Sequence, residues 1–373
     1  RAKGSSKYRR FAQAQAHAAI LETQVLENTI IKLGTLLALG FGDAGVNIIA
    51  ENMDASSATV TVKIPGTKVE AIFGFCKIRS FCVITEVLKE RTMLFVNQVA
   101  EIIHSVVAKH HGAANKNSGQ SFLLVWQFNN FDLAYRRRIA DLAVLAFIEI
   151  IASLSRDSGL AEMSAHPLLS ARIPNFRVSV GFGLHLGWAI AGAIGSEFKI
   201  DASYVSPHVN LASQLERATS EYGVAILMSE PLVRTCAQDF CRSFRPVDRV
   251  QLPGSKLATQ LFAVDLDPSQ LFLDRRLGVL RPELSPGALK VRERRRSELL
   301  GEDFQAHEVL ETDKYIKAMR RHLCPLFFQE FERGFLNYLA GEWGVASVVL
   351  DGTRTMLAGR QGAEDGPSRA LTR

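Results

Sequence analysis

From residue 69 to residue 264, short β-rich runs alternate with two long stretches at helical period, and this alternation restricts the fold more than any other feature. Residues 69–76 are apolar and β-rich and read as a buried strand. Residues 84–110 read as one helix with Leu88, Phe95, Val99, Ile102, Ile103 and Val106 inward and Gly112 as its stop. Residues 121–126 give a second strand. Residues 131–155 give a helix whose Arg136-Arg137-Arg138 reads as a solvated face. Residues 176–185 alternate Val178, Val180 and Phe182, a third strand. Residues 187–195 hold small side chains between glycines, a strand whose backbone approaches another element closely.

Ser206-Pro207 opens a helix to about Thr219, with Ser at the cap and Pro at the first helical position. Residues 224–228 read as a strand, 230–237 as a helix, and 247–251 with 260–264 as a hairpin around Pro253-Gly254. The order predicts an α+β sandwich of ferredoxin-like type, an antiparallel-type sheet with flanking helices.

The flanks differ. Residues 11–39 carry Ile20, Val25, Ile30, Ile31, Leu33, Leu36 and Leu37 on a helical stripe that packs locally or pairs with a second copy; residues 51–67 read as a connecting loop. The first 68 residues thus form an N-terminal helix and loop, and 69–267 form the main domain. Residues 268–312, with Pro268, Pro282, Pro286 and the charge run 290–296, read as a linker or extension. Residues 313–373 read as a helical pair joined near Gly341, with Tyr315, Met319, Phe327, Phe331, Phe335, Tyr338 and Trp343, and a tail.

With 47% apolar and 22% charged residues, the chain is globular and neither disordered nor a disulfide-stapled miniprotein. A net charge of +6 on 373 residues does not point to nucleic acid. Five irregularly spaced cysteines without a CxxC read as free thiols in a reducing compartment. The start at Arg1, without Met or a signal peptide, reads as a piece of a longer cytoplasmic protein. Any membrane attachment is expected outside it, with 289–296 a weaker candidate for anionic lipid than for solvation.

Four segments in the main domain carry a resemblance. Phe75-Cys76-Lys77-Ile78-Arg79-Ser80-Phe81-Cys82 resembles the first active-site stretch of the class III nucleotidyl cyclases, Phe-x-Asp-Ile followed by x-x-Phe-Thr. Lys116-Asn117-Ser118-Gly119-Gln120 is similar to their hairpin tip Lys-x-x-Gly-Asp. Gly183-Leu184-His185-Leu186-Gly187 through Gly195 resembles Gly-x-His-x-Gly-x-x-x-Ala-Gly-x-x-Gly, and Val209-Asn210-Leu211-Ala212-Ser213-Gln214-Leu215 resembles Val-Asn-x-Ala-Ser-Arg-Leu. Phe198-Lys199-Ile200-Asp201-Ala202-Ser203-Tyr204 further resembles a subgroup from microbial eukaryotes.

The resemblance implies a composite site across a dimer, in which two aspartates of one partner hold two metal ions and the other partner supplies the base pocket, an asparagine and an arginine. Here Lys77 and Gln120 stand at the metal positions and Gln214 at the arginine. An ammonium has no lone pair for Mg²⁺, and a glutamine lacks the charge and fork of arginine. Lys116 and Ser203 fall at the purine-reading positions, the lysine matching the adenylate type, and Asn210 at the ribose position. The amides of Ile78, Arg79, Ser80, Phe81 and Cys82 fall where phosphates are cradled, and Lys256 lies near a triphosphate contact, with Ser255 beside it. His185 reads as a satisfied core histidine. Each of these also has a bland reading, Lys116 as a hairpin-tip charge and Asn210 as a bond to local backbone.

The triple replacement predicts a pseudocyclase, a dimerising regulatory or scaffold module of cyclic-nucleotide signalling. One alternative is the base-binding half of an active heterodimeric adenylate or guanylate cyclase; another is a structural subunit docking through residues 313–359. No cofactor is expected for the chain alone, and Mg²⁺ or Mn²⁺ only where a partner supplies ligands. The expected partners are ATP or GTP and a second cyclase domain, in a homodimer or heterodimer.

Overall fold

The computed structural model describes residues 24–36, 40, 65–128, 132–196, 198–253, 257–272, 286–321 and 323–356. The chain divides into two compact units, one of residues 65–192 and 203–373 and one of residues 1–64 with 193–202. In the second, residues 24–36 form helix α1, and its Val25, Ile30, Ile31, Leu33 and Leu36 are all more than half exposed. The rest of the expected helix over 11–39, with Ile20 and Leu37, and nearly all of the loop over 51–67 lie outside the described residues.

The strands are β1 (Thr67–Ile78), β2 (Ala113–Ser118), β3 (Ser121–Gln127), β4 (Val180–Ser196), β5 (Lys199–Val205), β6 (Ile226–Ser229), β7 (Arg245–Val250) and β8 (Thr259–Ala263). These make one eight-stranded sheet in the order β2-β3-β1-β4-β6-β8-β7, with β5 paired to β4. It is mixed rather than antiparallel throughout, because β4 and β6 run parallel.

Alternation along β4 explains the two layers. Phe182 and Leu184 enter the core that holds α3 (Thr92–Lys109) and α4 (Leu133–Arg156). Gly181, Gly183 and Gly187 face α7 (Pro207–Tyr222); a Cβ on Gly183 would lie 2.2 Å from Ala212 O. Without side chains there, α7 settles against the strand itself. The sequence expectation of close backbone approach thus holds, while the two strands expected over 176–195 are one continuous strand starting at Val180. On β6, Ile226 and Met228 join the α3–α4 core and Leu227 the α7 core, so both faces are buried and the strand reads as continuously apolar.

The expected helix over 84–110 is two. α2 (Phe81–Leu88) ends at Lys89, which takes φ 48°, and a 3-10 turn leads into α3. α3 stops at His110 and His111, the latter at φ 61°, one residue before Gly112, which packs against the Trp126 ring. α4 is buried on nearly all sides from Ile139 to Ile148, so its arginines are not a simple solvated face: Arg136 pairs with Glu70 at 2.6 Å. Ser206 caps α7 as predicted, accepting from His208 N at 3.1 Å. Short helices α5 (Ser158–Ser164), α6 (Pro167–Arg172), α8 (Glu230–Val233) and α9 (Gln238–Cys241) complete the connections, and β2, β5, α5, α6 and α9 have no counterpart in the periodicity reading.

The C-terminal third joins the main unit. The segment read as a linker or extension holds α10 (Pro286–Leu299) and α11 (Ala306–Thr312), followed by α12 (Lys314–Arg320), α13 (Pro325–Leu339) and α14 (Trp343–Met356). Ala306, Leu310, Ile316 and Met319 are buried in the α3–α4 core. Three helices therefore follow residue 313 where two were expected, although α13 and α14 do turn at Gly341, at φ 82°. Phe327, Phe331 and Phe335 pack on Leu350, and the Arg245 guanidinium of β7 lies 4.5 Å from the Phe331 ring centre. Phe327, Phe331 and Phe335, three of the aromatic residues that suggested an external docking element, are thus covered by this chain itself, while Trp343 stays 70% exposed.

Candidate functional site

At the C-terminal end of β1 the sheet opens into a cleft of about 530 Å³. Lys77 pairs across the sheet with Ser121 on one side and Gly181 on the other. Ile78 N donates to Gln120 O at 2.9 Å, which ties the β2–β3 turn to the end of β1. Gly119 takes φ 57° in that two-residue turn, so the chain reverses directly and Gln120 arrives beside Lys77. Lys77 and Gln120 therefore line one cleft.

The loop from Ile78 to Cys82 lines the same cleft but is not a uniform cradle of amides. Ile78 N is taken by Gln120, and Arg79 N donates to Ser179 O at 2.9 Å. Those two amides hold the loop together rather than facing an anion, which corrects the expectation for Ile78 and Arg79. Ser80 adopts the left-handed region at φ 56° and starts α2, whose first internal bond is Ile84 N to Ser80 O. The amides of Phe81, Cys82 and Val83 belong to that first turn and have no helical partner. The Arg79 side chain turns inward: its Nη2 donates to Val224 O at 2.7 Å and Thr219 Oγ1 at 3.1 Å, and burial lowers its pKa.

The third wall is α7, which contributes Glu216, Arg217 and Ser220 at helical spacing. Sequence reasoning missed them; the available signal was their one-face spacing two residues beyond Gln214. Glu216 is 4% exposed. Burial raises its carboxyl pKa, against the opposing charges of Lys77, Arg79 and Arg217. The cleft thus places one buried carboxylate among three cationic side chains.

This set does not fit the pair of divalent metal ions that the resemblance implies. Hard cations require several oxygen ligands, mostly carboxylates. Here Lys77 repels a cation, Gln120 offers a neutral carbonyl, and Glu216 is already surrounded by positive charge. Among the described residues no group of three or more His, Cys, Asp or Glu is arranged to hold a metal. The cleft instead offers cationic and amide donors to an anion.

Lys116, Ser203, Asn210 and Gln214 do not line the cleft. Lys116 is exposed on β2, beside an irregularity in the β2–β3 register. Ser203 is half-buried on β5, and Asn210 is exposed in the first turn of α7. Gln214 is not turned to solvent: its Nε2 donates to Pro253 O at 3.3 Å, and its Oε1 is buried without a partner. Lys256 and Ser255 lie outside the described residues.

His185 is buried on β4, its Nδ1 bonded to Ser229 Oγ at 2.7 Å and its Nε2 to His208 Nδ1 at 2.8 Å. Burial, with the charge of His208 second, pushes its pKa down to about 3. It is a core histidine with both ring nitrogens satisfied, as the sequence reading expects.

The family description "Adenylate and Guanylate cyclase catalytic domain" matches residues 67–264, and "RasGEFs all helical domain" matches residues 2–54. Over 177 residues the chain is 28% identical to Adenylate cyclase 1 of Rhizobium meliloti (strain 1021), covering 47% of this chain and 24% of that protein. Over 194 residues it is 26% identical to an adenylate cyclase of Anabaena cylindrica, covering 51% of this chain and 36% of that protein. The matched region is thus about a quarter to a third of each curated relative. The fold is similar to that of a bacterial light-regulated adenylyl cyclase, with a TM-score of 0.50 and 20% identity over 75% of this chain and 70% of that one. The matched residues 67–264 begin at β1, close just past β8, and make up more than half of the sequence. By that match, the chain belongs to the adenylate and guanylate cyclase catalytic-domain family.

Proposed function

We propose that this cyclase domain is a pseudocyclase, a dimerising regulatory or scaffold module of cyclic-nucleotide signalling on the cytoplasmic side, without turnover of its own. One observation carries the reading: Lys77 and Gln120 share a single cleft whose one carboxylate, Glu216, is buried among cations. Cyclisation has to deprotonate the ribose 3′-hydroxyl and offset the charge growing at the α-phosphate, work that two carboxylate-held metals perform in such sites. This cleft has no equivalent ligand set, and Gln214 supplies no fixed charge in place of an arginine. The chain's own side chains are proposed to hold no Mg²⁺ or Mn²⁺. Among the described residues, no helix is long and apolar enough to cross a membrane.

A second reading is favoured by the exposure of Lys116 and Asn210, which leaves them open to a partner: the base-binding half of a heterodimer that takes ATP or GTP. The bond of Gln214 to Pro253 O, which occupies its amide, counts against it.

The test is ATP and GTP turnover with Mn²⁺ by the purified chain, alone and mixed with a metal-bearing cyclase domain. No product in either case, with a dimer in solution, supports the pseudocyclase. Product only in the mixture, lost in Lys116→Ala, supports the second reading. Product from the chain alone refutes both.

A further inference from the structure

A second concavity of about 940 Å³ lies away from the cleft, between α9, α11 and α12. Ser243, His307, Leu310 and Ala318 are among the residues that line it. Its walls carry Arg242, Lys314, Lys317, Arg320 and Arg321 against only two carboxylates, Asp239 and Glu311. That surplus of three positive charges equals half of the chain's net +6, gathered in one groove.

The cations fall into two groups. Arg242 pairs with Asp239 at 3.1 Å, and Arg320 is half-buried, its charge balanced by Asp265 and Glu311. Lys314, Lys317 and Arg321 have no carboxylate within ion-pair distance among the described residues. Their spacing of three and four residues sets them along one face of α12 and its C-terminal cap. At the helical rise they span about 10 Å, too far apart for one phosphate to reach all three. A concave groove focuses such a field and is of ligand size.

We propose that the groove between α9, α11 and α12 binds a compact ligand bearing several phosphate groups, of the inositol polyphosphate class, free or as a lipid headgroup. Lys314, Lys317 and Arg321 engage separate phosphates, the arginine through its planar fork, and Ser243 offers a hydroxyl donor from the lining. The site stands apart from the cleft and does not depend on whether nucleotide is turned over there.

The test uses the full chain. Inositol hexakisphosphate is titrated calorimetrically, and phosphatidylcholine vesicles with or without phosphatidylinositol bisphosphate are co-sedimented. Lys317→Glu with Arg321→Glu is expected to weaken binding about a hundredfold or more, two charge-assisted contacts being lost. The milder Lys317→Gln with Arg321→Gln should weaken it in the same direction. Arg292→Glu with Arg295→Glu, an equal charge change on exposed residues of α10, should leave it within a few-fold. Groove-dependent binding of the soluble probe identifies a free ligand, and groove-dependent binding of the lipid vesicles alone identifies a headgroup. Binding of neither probe, equal loss in the α10 variant, or a polyglutamate peptide binding as tightly as the phosphates would overturn the proposal.

Discussion

Replacing Asp265 by Ala should destabilise the chain far more than replacing Asp265 and Arg245 together by apolar residues. Arg245 is 1% exposed, and its Nε and Nη2 meet the two Asp265 carboxylate oxygens at 2.7 and 2.8 Å. Asp265 also offsets the charge of Arg320 on α12. Removing the carboxylate leaves a desolvated guanidinium with no counter-ion and a second one short of its partner. Breaking such a buried pair costs about 3–5 kcal/mol. The double change Arg245→Met with Asp265→Leu removes the charge stranded at Arg245 and leaves Arg320 with Glu311, as in the single variant. It keeps apolar packing on Phe331, giving up a cation–π contact of about 2 kcal/mol. The double variant is therefore expected within about 2 kcal/mol of the parent. Urea unfolding followed by tryptophan fluorescence, with m-values compared, measures all three proteins. A double variant as unstable as Asp265→Ala would refute the reasoning, since the cost would then lie in lost packing and not in an unpaired buried charge.

Lys77→Asp with Gln120→Asp should create Mn²⁺-dependent nucleotide binding in the cleft, visible as a thermal shift abolished by EDTA; an unchanged melting temperature refutes the account of why metal does not fit. His185 has a folded pKa near 3 against an ordinary value of 6.5, so the unfolded chain binds more protons below pH 6.5. Its contribution is complete above that pH and is lost as pH falls towards 3, amounting to about 2 kcal/mol at pH 5. His185→Gln should flatten this acid limb of a pH–stability profile, and an identical limb in both proteins would remove the histidine as its source. Gly183→Ala should cost about 1–3 kcal/mol, because its Cβ would meet the α7 backbone at Ala212 O, and no smaller residue relieves it. Guanidinium unfolding checks that loss.

Local chemistry made several elements legible before any fold was known. Ser206 and Pro207 start α7 because a side-chain acceptor and a preset φ act within three residues. Strand β1 declares itself by a β-rich apolar run. That Lys77 and Gln120 are not carboxylates was equally legible, since donor chemistry depends on residue type alone. Periodicity failed where competing signals overlapped. The break at Lys89 has no glycine or proline to announce it, and the close backbone approach of the β4 glycines was legible whereas the continuity of β4 from Val180 to Ser196 was not. The helices at 286–312 were hidden by prolines and charge, and α11 is held to the core only by partners far away in sequence.

By itself, then, the sequence determined the main sheet-and-helix pattern, the family motifs and the missing carboxylates, because each depends on residue type and near-neighbour spacing. Only the tertiary structure decided that Glu216 of α7 faces Lys77 in one cleft, that Arg79 turns inward to Val224, and that α11–α14 belong to the main unit. These outcomes rest on contacts between residues far apart in sequence, such as Arg79 with Val224 and Arg156 with Tyr315, whose strength comes from burial and electrostatics that exist only once distant segments are packed together.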